Sequence, residues 1–319
     1  MTATLPLKAL DQVEILTLQD NTIDLVQQDN NAVIQRARPL IGREMRNSIL
    51  AEHGFSALVT VTSGDDSRCM LFDFGFSEYG AASNADALGA DLTRVEQMAL
   101  SHGHPDHVGG MRELVGKTGK SGIPLVLHPS AFRNPRFLKN VNGSRVSFPA
   151  FTREKAAAAG AAVVDTDRSY PMLDHMAAFL GRIPRTTAFE RGAADLLCEI
   201  DGKEAPDPFD DDSAVIFNIR NKGLVVLSGC AHSGIVNTVT FARKTTGIEP
   251  VMAIMGGFHL SNQDLKTVIE PTIDALKAFN PTYIVPTHCT GRLAVQQIER
   301  ALPDRFILNM SGTRLTFAA

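Results

Sequence analysis

Three histidines and an aspartate crowd into six residues, His102-Gly103-His104-Pro105-Asp106-His107, in a chain of 319 residues that has only nine histidines. Neutral imidazole and carboxylate are preferred donors for Zn2+ and also serve Fe and Mn. In extended backbone His102 and His104 point the same way, because alternate residues share a face. Asp106 and His107 fall at a helix start, where a carboxylate is favoured. The string therefore reads as two adjoining half-sites, His102 with His104 for one ion and Asp106 with His107 for a second. Two such ions roughly 3.5–4 Å apart hold a hydroxide at neutral pH and polarise a carbonyl or phosphoryl oxygen. Gly103, Gly109 and Gly110 let backbone and helix approach closely, which accounts for Gly where a helix would prefer Ala.

Short apolar or β-branched runs bounded by turn residues predict strands over 13–18, 57–62 and 70–74, followed by a helical stretch over 84–88. A buried strand over 95–100 runs directly into the histidine string, and a helix begins over 108–114. From 129 to 205 the pattern is less regular, with many Ala and Arg, and reads as an insertion or lid within a single domain spanning 1–319. An α/β rhythm resumes beyond it. Strands at 215–218 and 224–227 turn at Asn221-Lys222-Gly223, then a helix (235–244), a strand (251–255), a helix (264–279) and a strand (283–285) follow. In the second helix Leu265, Val268, Ile269, Ile273, Leu276 and Phe279 form one apolar stripe, and Pro271 predicts a kink. Several of the later strands end beside a histidine: Ser228-Gly229-Cys230-Ala231-His232, Gly256-Gly257-Phe258-His259 and Pro286-Thr287-His288. Strand ends are where α/β folds converge side chains on a ligand.

The bulk properties exclude other classes. A net charge of −4 offers no basic field for nucleic acid, and there is no Trp and only three Tyr to stack on single strands. The apolar runs are strand-length and the first ten residues lack a secretory pattern, so a soluble, cytoplasmic protein without a membrane partner is expected. Cys69, Cys198, Cys230 and Cys289 are too few and too dispersed for a disulfide scaffold or a CxxC zinc knuckle.

SHGHPDHVGG (101–110) resembles the signature of the metallo-β-lactamase superfamily, which implies a four-layer αββα sandwich carrying one or two metals. LQDN (18–21), EHGFSALV (52–59), SNADALGADL (83–92), GLVVLSGCAHSGIVNT (223–238), MGGFHL (255–260) and PTHCTG (286–291) resemble its dihydropterin-ribofuranosylaminobenzene-phosphate-synthase-like branch. The resemblance implies that His102, His104, Asp106 and His107 form the paired-metal loop. It further implies that His288 is the last ligand of the second metal and that Asp73 supports the loop from behind. Two positions depart from the superfamily pattern. Asp207-Pro208-Phe209-Asp210-Asp211-Asp212 stands where a third histidine is expected, and Cys230 replaces the bridging aspartate. His232 is the best candidate for the missing ligand.

Competing readings stay open for several residues. Cys230 is a soft ligand or a small buried hydrophobe. Asp211 is a stand-in ligand or part of a solvated turn. His259 is a ligand, a substrate contact or a general acid. His53 and His128 line the site or pack, His175 lies at the surface, and Asp20 and Asn21 brace a turn. Lys139, Arg182 and Arg185 form an anion clamp or ordinary salt bridges. The expected cofactor is one or two Zn2+, with Mn2+ or Fe as alternatives, and Asp106 and His259 are the expected catalytic groups. The expected function is a hydrolase that uses metal-bound hydroxide on an ester, lactone, amide or phosphoester of a small molecule. The alternatives are a pterin-phosphate condensing synthase and a mononuclear-iron redox enzyme. A homo-oligomer is compatible with the sequence.

Overall fold

The computed structural model describes residues 4–38, 40, 41, 43–45 and 48–319. An eight-stranded sheet and a seven-stranded sheet lie face to face. In the first, Gln12–Gln19, Ser56–Ser63 and Asp66–Phe72 form an antiparallel meander. Val95–Ala99, Ile123–Leu127 and Ala161–Asp165 then continue parallel to Asp66–Phe72. In the second, Ala214–Ile219 pairs antiparallel with Gly223–Ser228, and Val251–Gly257 and Tyr283–Thr287 follow in parallel.

The inner faces interdigitate. Ile15, Val59 and Phe72 from one sheet share a core with Phe217, Val225 and Met255 from the other. Gly80–Ala87 and Met111–Lys117 cover the outer face of the first sheet, and Ile235–Thr246, Glu270–Phe279 and Arg292–Ala301 that of the second. Helix, sheet, sheet and helix make the expected αββα sandwich. Parallel strands buried on both faces explain the near-continuous apolar runs, such as GLVVLS, every residue of which is buried.

Three local expectations need correction. The helix expected over 108–114 is two helices, Pro105–Val108 and Met111–Lys117, with the break at Gly109-Gly110. A Cβ on Gly109 would lie 1.6 Å from the Phe76 carbonyl oxygen, so this backbone contact admits no side chain. The helix expected over 264–279 changes character at Pro271: a π-helical turn, Leu265–Ile269, runs directly into Glu270–Phe279, so the proline stands where the helical hydrogen-bond pattern shifts.

The segment 129–205 is not one inserted lid. Ala161–Asp165 is an edge strand of the first sheet, and Tyr170–Met172 with Ala177–Phe179 extends the second. The flanks of the segment build a separate small antiparallel sheet from Arg136–Lys139, Arg145–Ser147, Leu196–Ile200 and Lys203–Pro206. Strands of three to five residues show too few alternations to declare themselves.

Candidate metal centre

The site lies where strands of both sheets end. Asp73 follows Asp66–Phe72, Ser101 to His107 follow Val95–Ala99, and Cys230 and His232 follow Gly223–Ser228. His259 follows Val251–Gly257 and His288 follows Tyr283–Thr287. Four of these residues bend sharply: Asp73, Ala231, His259 and His288 have φ of 57°, 51°, 47° and 45°. Left-handed backbone costs a non-glycine residue roughly 1–3 kcal/mol, which the surrounding structure must offset. Glu190 anchors the chain just beyond His232 by accepting hydrogen bonds from the N–H groups of Val236 (2.8 Å) and Asn237 (2.9 Å).

Asp73 organises the histidine loop from beneath. Its carboxylate accepts the Ser101 N–H at 2.7 Å, the Ser101 hydroxyl at 2.7 Å and His107 Nδ1 at 2.6 Å. The Ser101 hydroxyl has a single proton and gives it to Asp73, so at 2.9 Å it accepts from His102 Nδ1. Both imidazoles therefore carry their proton on Nδ1 and turn Nε2 into the site, the arrangement by which carboxylates orient ligating histidines.

Two donor groups result. His102, His104 and His232 form one, and Asp106, His107, Cys230 and His288 the other; within each group the ligand atoms lie within 4.8 Å of one another. His102 Nε2 and His232 Nε2 are 3.2 Å apart, His107 Nε2 and Cys230 Sγ 3.2 Å, and His288 Nε2 and Asp106 Oδ2 3.0 Å. Two nitrogens on one tetrahedral zinc stand about 3.3 Å apart, given Zn–N bonds of ~2.0–2.1 Å. The donor spacing thus fits a cation in each group.

The electrostatics fit as well. Burial drives His102 and His232 well below the ordinary histidine range and His104 down to about 3, leaving neutral imidazoles with free lone pairs. Burial likewise lowers His288 to about 4, against the pull of Asp106. Burial also opposes charge on His107, yet Asp73 and Asp106 outweigh it and raise this residue to about 9. Burial would raise Asp106 too, but His107 and hydrogen bonds from His288 and His53 hold it well below the carboxylate range. The second group is a place built for positive charge.

Both groups sit at the floor of a cleft of about 790 Å³. Leu138, Phe148 and Leu196 from the small sheet form an apolar wall, facing Ser261, Asn262 and Gln263. His259 lines this cleft with its ring 4.2 Å from that of His232, but it belongs to neither donor group. Burial lowers its proton affinity as well. His53 lines the cleft with Nε2 3.4 Å from the Asp106 carboxylate. Asp20 and Asn21 brace His288: Asp20 accepts its backbone N–H at 2.9 Å, and Asn21 Oδ1 lies 3.0 Å from its Nδ1.

Asp211 is no stand-in ligand. Its carboxylate is occupied by Arg136 at 2.6 Å and the Gly103 N–H at 2.9 Å, beneath the histidines rather than among them. His128 caps a short turn through Ser130 outside this cleft, and His175 lies 3.2 Å from the Pro6 carbonyl. Lys139 and Arg182 pair with Glu204 and Asp210, and Arg185 donates to the His232 carbonyl, so none of the three lines the cleft as an anion clamp. Sequence reasoning missed Arg136, which holds Asp211, and Phe148, Phe209 and Asp212, which touch the histidines. Only the oddity of a proline- and aspartate-rich turn at 207–212 hinted at the last two.

Comparison with known proteins agrees with this geometry. The sequence profile of the metallo-β-lactamase superfamily matches residues 51–288. A 7,8-dihydropterin-6-methyl-4-(beta-D-ribofuranosyl)-aminobenzene-5'-phosphate synthase of Methanocaldococcus jannaschii is 30% identical over 84% of this chain and 90% of its own length. The crystal structure of a metal-dependent hydrolase of the β-lactamase superfamily superposes with a TM-score of 0.71 at 24% identity, covering 96% of this chain and all of that one. That of a diphosphatase from the PhnP family superposes at 0.51 and 12% identity, covering 96% and 98%. The chain belongs to the metallo-β-lactamase superfamily, in its dihydropterin-ribofuranosylaminobenzene-phosphate-synthase-like branch.

Proposed function

We propose that this protein is a metal-dependent hydrolase acting on an ester, lactone, amide or phosphoester of a small molecule. The observation that carries this reading is the pair of adjoining donor groups at the floor of one cleft. His102, His104 and His232 would hold one divalent ion, and Asp106, His107, Cys230 and His288 a second; zinc suits both sets, and Mn or Fe suits the nitrogen and oxygen donors. Ions bound there supply Lewis acidity and lower the pKa of water.

The chain's own residues supply the rest. Asp73 and Ser101 orient His107 and His102, and Asp106 stays a carboxylate facing His53, His107 and His288. His259 lines the cleft beside the first group, and burial favours its neutral form, so it is placed to take a proton from the attacking water and pass it to a leaving group. The wall of Leu138, Phe148 and Leu196 shelters the reacting end of the substrate from water. Among the described residues no helix is long and apolar enough to cross a membrane.

A second reading is a condensing synthase, favoured by the 30% identity to the methanogen enzyme that bears that name. Metal analysis of the purified protein combined with assays separates the readings. About two equivalents of Zn or Mn, with turnover of a nitrophenyl ester or phosphodiester, is the expected result. One equivalent of iron with oxygen uptake overturns the hydrolase. Condensation of a pterin phosphate with a ribofuranosyl-aminobenzene phosphate, without hydrolysis, selects the synthase.

A further inference from the structure

One turn, 207–212, reaches His104 and His232 of the first donor group and the Gly103 that joins His104 to His102, and among the described residues none of its hydrogen bonds or ring contacts reaches the second. Asp211 Oδ2 accepts the N–H of Gly103, the residue between His102 and His104, at 2.9 Å. Asp212 accepts the N–H groups of His232 at 2.9 Å and Ser233 at 2.8 Å. Phe209 stacks on the His232 ring, 4.2 Å away and only 4° from parallel, and meets His104 edge-on at 5.7 Å. The turn is fixed in its own right. Arg136, 2% exposed, binds Asp211 at 2.6 Å and Asp207 at 2.7 Å, and Arg133 reaches Asp207 and Asp210 at 3.2 and 3.3 Å.

We propose that this turn, with Arg136 as its buried counter-ion, is a positioning device that sets the metal affinity of the first donor group and leaves that of the second alone. Three histidines from two sheets must converge within a few tenths of an ångström to bind one ion tightly. Asp211 fixes the backbone between two of them, Asp212 fixes the backbone of the third, and Phe209 fixes that ring's tilt. Arg136 and Arg133 pair with Asp207, Asp210 and Asp211, which holds the turn in place, while Asp212 is held by the backbone N–H groups of His232 and Ser233. Supporting contacts of this kind are worth about 10–100-fold in metal affinity. The proposal rests on the two-group metal reading above.

Cobalt titration of the apoprotein tests it. A thiolate-to-cobalt charge-transfer band reports the group containing Cys230, while ligand-field absorption without that band reports the all-histidine group. In Asp211→Ala, cobalt affinity of the histidine group should fall by about 10–100-fold while the midpoint of the thiolate band stays in place. Asp211→Asn should restore most of the loss, because its amide oxygen still accepts from Gly103. Equal weakening of both groups, or of neither, overturns the proposal. Wild-type protein that takes up no cobalt overturns instead the metal reading beneath it. Should Asp211→Ala not fold, Phe209→Leu carries the same test without touching the charge network. It should weaken the histidine group alone, and an unchanged first midpoint overturns the proposal.

Discussion

The two donor groups lie side by side yet differ in charge, softness and support. The first is three neutral imidazoles, with no charged donor among them. The second combines a carboxylate, a thiol and two imidazoles, and its surroundings raise His107 to about 9 before any metal arrives. The first draws its order from the 207–212 turn and, through Ser101, from Asp73, whereas the second draws on Asp73 directly and on Asp20 with Asn21. Two ion sites on one loop can thus be tuned separately, because the residues behind them come from different parts of the chain.

The largest expected effect tests whether the groups act as one catalyst. His104→Ala removes a donor from the first group only, yet hydrolysis should fall to background while metal content drops by one equivalent. Activity that survives unchanged would mean that the first group is not part of the catalytic unit. A smaller effect is expected from Cys230→Asp, which puts a hard donor where the structure has a soft one. Metal preference of the second group should move from Zn towards Mn by about an order of magnitude, read by competition between the two ions. If Cys230→Ala keeps two equivalents of metal, the thiol is packing and the contrast in softness disappears. A further effect concerns support. Asp73→Asn leaves every donor in place but removes the charge behind His107, and should cost about 10–100-fold in affinity at the second group and less at the first, which Asp73 reaches only through Ser101. Chelator competition measures it, and equal loss at both groups would show that Asp73 serves the whole loop.

Much of this was legible in the sequence because the chemistry is concentrated. The string 102–107 announces four donors at once, and strands ending in histidine point to the rest. The choice of His232 as the missing ligand follows from its place two residues beyond Cys230, and the structure puts it 3.2 Å from His102. The sequence leaves Asp211 open between ligand and solvated turn, and it is neither, for a physical reason. An isolated carboxylate at the right place in the sequence looks like a ligand, and its partner Arg136 lies far away on a strand that the sequence does not declare. The same weakness hid the small sheet and the edge strands of 161–179. Short strands there are held by neighbours that only the folded chain supplies.

The donor pairs are remote from each other along the chain. His102 and His232 are separated by 130 positions, His107 and Cys230 by 123, and Asp106 and His288 by 182. No fragment carrying one sheet alone can present a complete set, so an ion bound here acts as a rivet between the two halves of the sandwich. It binds the folded chain and not the unfolded one, which adds about 2.7 kcal/mol of stability when free metal stands at a hundred times its dissociation constant. Donors that hold an ion here would thereby also fasten the two halves together, and depletion of metal would cost the fold rigidity.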